Sequence, residues 1–462
     1  MLSLMGMYWG TKPDGNRGDT AQLPRLVSDF FYPNMGGVES HLFHLGQQLI
    51  QRGHKVVVVT HAYGQRTGIR YVTNGLKVYY LPAWVGYQQA TPPTFFAFFP
   101  ILRCIFVREQ IQVVHGHQAL SPLCHEAIFH ARTMGLRTCF TDHSLFGFND
   151  LGNVVGNKVL KFTLSDVDHV ICVSHTSKEN TVLRAALDPQ DVSVIPNAIA
   201  VSQFVPDPSA PDPNWITIVV ISRLAYRKGI DLLVAVIPRV CAIFPKVRFL
   251  IDGAKRIDLE QMRENCLLHD RVRFIGSVKH HEVRNVLVQG NIFLNTSLTE
   301  AFCIAVVEAA SCGLTVVSTH VGGIPEVLPP HMICFAQPEE NDLVRAVMQA
   351  VKSVQMKEVM PMRQHAEVKE MYSWANVAAR TEVVYKQVMR INTPPFIERL
   401  RRYYGCGLWA GKLFCIMAAI DLLFLVLLEW WLPREAIEIA PSFPTKKYKR
   451  IRQMTSDKSG GS

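Results

Sequence analysis

At 462 residues and 48% hydrophobic content, the chain has room for two or three domains with sizeable cores. Its eleven cysteines are scattered, odd in number and without a CxxC pair, and Cys139, Cys172 and Cys303 sit inside apolar runs; this excludes a disulfide framework or a cysteine zinc site and points to a reducing compartment. The net charge of +10 suits a membrane surface, a diphosphate or a nucleic acid, and no aromatic or motif pattern supports the nucleic acid.

Residues 1–23 lack a charged region followed by a sustained apolar core, so they are expected to form a disordered lead-in rather than a cleaved signal peptide. From Pro24 onward, short β-rich runs alternate with helical stretches. The expected strands of a first lobe (24–203) are 25–28, 56–60, 78–81, 113–117, 138–143, 169–174 and 192–197. Continuous apolar runs of this length, separated by helices, suit parallel strands buried on both faces. A Pro/Asp-rich linker (204–214) breaks the pattern. A second lobe (215–373) then repeats the rhythm at 216–222, 248–253, 272–277, 292–297, 315–320 and 332–335. The fold class is therefore α/β: two Rossmann-like, doubly wound lobes facing a cleft, with ligands expected at the C-terminal ends of the strands. A helix at 374–392 is placed to return across the cleft to the first lobe.

Residues 408–431 are apolar apart from Lys412, Asp421 and Glu429, and their length suffices for a transmembrane helix, which takes about 20 residues. Trp430 and Trp431 suit an interfacial belt. A helix packed on the membrane surface or against protein is the alternative. Asp421 near the middle costs about 2.5–3.5 kcal/mol at bilayer depth and calls for a partner. Lys412 is nine positions away, about half a revolution round the helix, and cannot supply it. Asp421 is therefore expected to face another membrane subunit. The tail 432–462 carries a basic run at 446–452, which reads either as solvated disorder or as a contact for acidic lipid headgroups.

Three segments carry chemistry. Gly36-Gly37 follows the first strand and opens a helix; paired glycines there allow close backbone approach to a phosphate or sugar, although a plain turn accounts for them as well. Arg223-Leu-Ala-Tyr-Arg227-Lys228 lies just beyond strand 216–222, where fixed positive charge would stabilise a leaving diphosphate; the alternative is a solvated basic loop. In Glu300-Ala-Phe-Cys-Ile-Ala-Val-Val-Glu308, Glu300 sits at a strand-to-helix junction and Glu308 is the one charge in an apolar helix. A buried carboxylate needs a partner, either a ribose hydroxyl pair or a structural ion pair. The helix N-terminus at Ala301, Phe302, Cys303 and Ile304 would face the phosphates. Asp166-Val-Asp168 spells a metal-binding triplet of a different fold and reads as a solvated helix end, and His41 with His44 lacks the further ligands of a zinc site.

Taken together, Glu300-x7-Glu308, Arg223 with Lys228, Gly36-Gly37 and Gly322-Gly-Ile-Pro-Glu326 resemble the retaining GT-B glycosyltransferases of the glycogen-synthase-like and sucrose-synthase-like group, over about 24–389. Within that group, Tyr32-Pro-Asn-Met-Gly-Gly-Val-Glu-Ser-His41, Gly68-Ile-Arg-Tyr-Val-Thr-Asn-Gly-Leu-Lys-Val-Tyr-Tyr80 and the late apolar segment are similar to the family of catalytic subunits that begin glycosylphosphatidylinositol anchor synthesis. The resemblance implies metal-independent, retaining transfer of N-acetylglucosamine from UDP-N-acetylglucosamine to phosphatidylinositol, with no cofactor. It implies an endoplasmic reticulum membrane protein with a single membrane pass, cytosolic catalytic lobes and partner membrane subunits. The first lobe would take the acceptor and the second the nucleotide sugar. Carried over by position, Gly36 and Gly37 would approach the donor phosphate, Arg223 and Lys228 would hold the diphosphate, Glu300 would bind donor sugar hydroxyls and Glu308 the ribose. His143, in Thr141-Asp-His-Ser, would stand near the reacting carbon. Another lipid or glycan acceptor is the alternative; a catalytically inert membrane scaffold is disfavoured by the joint presence of Glu300, Glu308, Arg223 and Lys228.

Overall fold

The structure, a computed structural model, describes residues 24–34, 36–86, 89–146, 151–222, 226–253, 257–358 and 360–441. The expected lead-in over 1–23, Arg223 and the basic run of the tail lie outside the described residues.

The first lobe runs β1 (Pro24–Val27), α1 (Gly37–Gln51), β2 (Val57–His61), β3 (Gly68–Val72), β4 (Leu76–Leu81), α2 (Phe99–Arg108), β5 (Val113–His117), α3 (Pro122–Thr133), β6 (Arg137–Asp142), α4 (Leu151–Leu164), β7 (His169–Cys172), α5 (His175–Ala185) and β8 (Val192–Val194). These strands make one sheet in the order β3-β4-β2-β1-β5-β6-β7-β8. Its pairings are parallel except for the antiparallel β3/β4 hairpin. Strand β3 has no counterpart among the expected strands because four of its five residues are exposed, so it carries no apolar run.

The second lobe runs β9 (Ile216–Ile221), α6 (Ile230–Ile243), β10 (Val247–Asp252), α7 (Ile257–Asn265), β11 (Val272–Gly276), α8 (Val283–Leu287), β12 (Ile292–Asn295), α9 (Ile304–Ser311), β13 (Thr315–Thr319), β14 (Ile333–Ala336), α10 (Glu340–Gln355) and α11 (Pro361–Met371). Its six parallel strands are ordered β11-β10-β9-β12-β13-β14. Each sheet reverses its winding at one place, between β1 and β5 in the first and between β9 and β12 in the second. Doubly wound sheets bind ligands at such switch points, beyond the strand C-termini. The glycine pair at the start of α1, His117 at the end of β5, and Lys228 and Glu300 in the connections after β9 and β12 lie there.

Helix α12 (Trp374–Arg390) returns to the first lobe and packs on α1. Trp374 stacks on His44, Tyr385 bonds His115 Nδ1 at 2.7 Å, and Arg52 Nε donates to Glu382 at 2.6 Å. Helices α13 (Phe396–Tyr404) and α14 (Ala410–Trp431) follow. Helix α14 is long and apolar enough to cross a membrane. One face packs inward, Gly411 against α13 and Ala418, Asp421 and Leu425 against the first lobe, while Leu413, Ile416, Ile420, Leu423, Leu427 and Trp430 form an exposed stripe at three- and four-residue spacing on the other.

Two expectations are corrected here. Asp421 does not need another subunit: it is fully buried, and its Oδ1 lies 2.7 Å from His130 Nδ1 on α3. The pairing falls within this chain because α14 lies along the lobe, bringing residues nearly three hundred positions apart in sequence into contact. Asp166 and Asp168 are not a solvated helix end either. Asp166 accepts from Arg399 Nε at 2.6 Å and Tyr403 Oη at 3.1 Å, and Arg132 reaches Asp168 at 2.7 Å. Their buried network ties α13 to α3, and Arg399 with Arg132 holds the Asp166 carboxyl below its usual range.

Candidate active site

Gly36 caps α1 with extended backbone and no side-chain bond. A Cβ added to Gly37 would lie 3.3 Å from Ile304 Cδ1, tighter than ordinary contact, so the loop after β1 comes almost onto the start of α9 across the cleft. Gly36, Gly37 and His44 from the first lobe and His280, Ile304 and Glu308 from the second line one cavity of about 190 Å³. Four of the expected donor-binding residues thus share a single space.

Lys228 ends a short turn after β9, and its ammonium pairs with the Glu300 carboxylate. Glu300 also accepts from Ser297 Oγ at 3.0 Å, and Thr296 Oγ1 donates to the Lys228 carbonyl at 2.8 Å, so the two switch-point loops of the second lobe are tied together. Gly322 takes a left-handed φ of 54° and a Cβ there would meet the Glu300 carbonyl at 2.1 Å. Only glycine lets that turn lie under Glu300. The next residues reach across to the first lobe, where Glu326 accepts from the α5 amides of His175 at 2.6 Å and Thr176 at 2.8 Å. This inter-lobe cap was not foreseen from the Gly322-Gly-Ile-Pro-Glu326 motif, since its partners lie 150 positions away.

The expected helix N-terminus is placed differently. Helix α9 starts at Ile304, with Cys303 as its cap in the left-handed region (φ 62°), so Ala301, Phe302 and Cys303 precede the helix. Ala301 and Phe302 are buried, and the Ala301 carbonyl accepts from Ser174 Oγ of the first lobe at 2.7 Å. Those residues hold the lobes together rather than lining the helix end. Burial, with the Glu300 charge adding to it, pushes the Cys303 thiol up to about 12. Glu308 is buried, and its partner is His280 from the loop after β11, at 3.3 Å. The hydrogen bond to Glu308 raises the His280 pKa against the effect of burial.

His143, after β6, belongs to a histidine cluster on the first-lobe side. His117 Nδ1 lies 3.3 Å from His143 Nε2, His41 meets the His143 ring edge-on at 4.6 Å, and His41 Nδ1 bonds Asn197 Oδ1 at 2.9 Å. Burial, reinforced by the neighbouring imidazoles, lowers His41 to about 4 and His115 to about 3, and holds His117 and His143 well below the ordinary value. All four rings are therefore neutral near pH 7, able to donate to or accept from hydroxyls. His41, His117 and His143 also place ligand atoms within 4.8 Å of one another, close enough to hold a metal ion. Spacing concealed this trio because its members come from α1, β5 and the loop after β6. The available signal was His115-Gly-His117 at the end of a switch-point strand.

Two doubly wound lobes that close on a pair of carboxylates, with a lysine at the second lobe's switch point, define a GT-B glycosyltransferase. The fold matches sucrose-phosphate synthase from Thermosynechococcus elongatus (TM-score 0.66, 20% identity, 80% of this chain and 99% of that one). It also matches the catalytic domain of starch synthase IV from Arabidopsis thaliana (TM-score 0.63, 17% identity, 80% and 99%). Closer in sequence is the phosphatidylinositol N-acetylglucosaminyltransferase gpi3 subunit of Schizosaccharomyces pombe, 59% identical over 93% of this chain and 94% of that one. The corresponding Homo sapiens protein of the same transferase is 55% identical over 90% and 86%. The chain belongs to this family of phosphatidylinositol N-acetylglucosaminyltransferase subunits and is a glycosyltransferase. Family models for glycosylphosphatidylinositol anchor biosynthesis and for group 1 glycosyl transferases match residues 61–150 and 203–366 respectively.

Proposed function

We propose that this chain is the catalytic subunit that transfers N-acetylglucosamine from UDP-N-acetylglucosamine to phosphatidylinositol, with retention at the anomeric carbon and without a metal. The observation that carries the reading is the shared cavity between Gly36-Gly37 and Ile304–Glu308, at the switch points of both sheets, in a chain 55–59% identical to relatives bearing that activity in their names. Lobes 24–203 and 215–373 take the acceptor and the donor. Lys228 holds the diphosphate, a role the resemblance also gives Arg223; negative charge grows on it as its bond to the sugar breaks, and a fixed cation there lowers the barrier. Glu300 accepts from the sugar hydroxyls and Glu308, held by His280, from the ribose hydroxyls. Neutral His143 stands on the acceptor side, where it can accept a hydrogen bond from the attacking hydroxyl without adding charge. Helix α14 attaches the chain to the endoplasmic reticulum membrane, with the lobes in the cytosol and further membrane subunits beside it.

The test is product formation by the purified membrane complex given labelled UDP-N-acetylglucosamine and phosphatidylinositol, with and without chelator. A labelled lipid with the α-configuration, formed equally under both conditions, is expected. Transfer only to a different acceptor overturns the acceptor, and loss in chelator with recovery on adding manganese overturns the metal-free chemistry in favour of the histidine trio.

A further inference from the structure

The segment between β4 and α2, described over 82–86 and 89–98, is aromatic and leaves large side chains in the open: Trp84 is 76% exposed and Phe95 55%. Phe95 is held at a φ of 59°, a left-handed conformation that a bulky side chain rarely adopts. A strained, exposed phenyl gains nothing from the fold itself, and such outliers gather where function requires them.

The neighbours of these residues define what they face. Ala83 packs into the same apolar cluster as Phe424, Leu425 and Leu428 of α14. Phe96 packs at a different level of α14, with Phe414, Met417 and Ala418. Phe99 meets Phe424 with centroids 5.7 Å apart, and Arg103, one turn further along α2, pairs with Glu429 of α14 at 2.8 Å. Trp84 and Phe95 are thus each one residue from a side chain in the clusters that α14 joins, beside the helix whose outer stripe is apolar. The depth is set by Asp421. It lies about 16 Å from the start of α14 at 1.5 Å per residue, near mid-length, and is clamped to His130 of the lobe. Whatever solvates the outer stripe at that level also reaches the lobe's flank.

The same segment reaches the cleft. Thr91 donates through N and Oγ1 to Asp29 Oδ1 at 3.2 and 2.8 Å, and Asp29 Oδ2 accepts from Ser121 Oγ at 2.7 Å. Asp29 is fully buried at the root of the loop that leads to Gly36 and Gly37. The middle of the segment is thus tied at Thr91 to the base of the active site, while Trp84 and Phe95 lie to either side of that tie in the chain.

We propose that Trp84 and Phe95 form a lipid-facing lip beside the outer stripe of α14, which seats the first lobe in the bilayer surface and brings a membrane-bound acceptor to the cleft. The occupant is the interfacial zone of a lipid bilayer, which favours aromatic side chains. The acceptor clause rests on the lipid-acceptor reading above; the seating clause does not.

The test uses the full-length chain in its membrane complex, reconstituted in phosphatidylcholine vesicles containing a phosphatidylcholine with a photoactivatable acyl chain. Adducts on the peptides of Trp84 and Phe95, alongside those of α14, are expected; adducts confined to α14 overturn the lip. In parallel, Trp84→Ser/Phe95→Ser should raise the apparent KM for long-chain phosphatidylinositol in vesicles on the order of a hundredfold, a factor of about ten for each of the two side chains. Turnover of a short-chain, monomeric phosphatidylinositol should be unchanged. Equal loss on both lipids, or on neither, overturns the delivery role. If the wild type turns over neither lipid, the function reading fails, and the labelling still decides the seating.

Discussion

The histidine cluster makes the first lobe acid-labile by an amount that can be worked out. His41 and His115, buried and lowered to about 4 and about 3, and His117, held well below the ordinary value by burial, stay neutral in the folded chain where the unfolded chain would be protonated. Above the unfolded pKa of about 6.5 the two states bind the same number of protons and these groups have no effect. As pH falls from about 6.5 to about 5, each unfolded histidine gains about 2 kcal/mol that its folded counterpart does not. Three such groups remove about 6 kcal/mol, comparable with the whole stability of a domain, about 5–15 kcal/mol. His130 and His280, whose pKa values are raised, act in the opposite sense, but their gain is complete below the unfolded value, so they add no slope in this window. Amide hydrogen exchange of β5 and β6 in the full-length chain in mild detergent reads the effect. Their opening free energy should be highest near neutral pH, decline above it as His130 loses its proton, and fall by about 4 kcal/mol per pH unit below it once the three unfolded histidines are fully protonated. Protection that is level or rising between about pH 6.5 and 5 would refute buried neutral histidines at this site.

Other outcomes follow from individual contacts. Lys228→Ala should cost about 2–4 kcal/mol of transition-state stabilisation, read as kcat/KM with labelled donor; wild-type turnover removes Lys228 from the diphosphate. Gly322→Ala forces a Cβ onto the Glu300 carbonyl at a left-handed φ, so activity should fall while hydrogen exchange of the β9–β14 sheet is retained; an active variant would show that Glu300 tolerates displacement. Glu308→Gln should weaken UDP binding in titration calorimetry without unfolding the second lobe, and unchanged affinity would mean that the His280 pair is purely structural. Asp421→Leu should lower protection of α3 by up to the 3–5 kcal/mol expected for breaking a buried pair, and less if His130 falls back on Glu126 at 3.4 Å. Partner subunits should still be recovered in a pull-down; their loss would reinstate an inter-subunit role for Asp421.

The α/β architecture could be read along the chain because it is written in local pattern. Runs such as those at 56–59 and 218–221 are apolar throughout because helices cover both faces of the sheet, and glycine pairs and acidic residues at strand ends mark where ligands approach. Hence Gly36, Gly37, Lys228, Glu300 and Glu308 were all singled out from sequence. What sequence could not supply was the partner of each charged group, because in a doubly wound fold that partner comes from a distant segment. Glu308 is satisfied by His280 and Glu326 caps a helix of the other lobe, while Asp166 is enclosed by arginines from α3 and α13. An exposed edge strand such as β3 carries no apolar run at all. The reversal at Asp421 has the same cause. Sequence shows that an acid within an apolar helix requires a partner, but only the docking of α14 against α3 determined that the partner is His130. Local physics sets what each residue needs, and the packing of distant segments decides which residue meets that need.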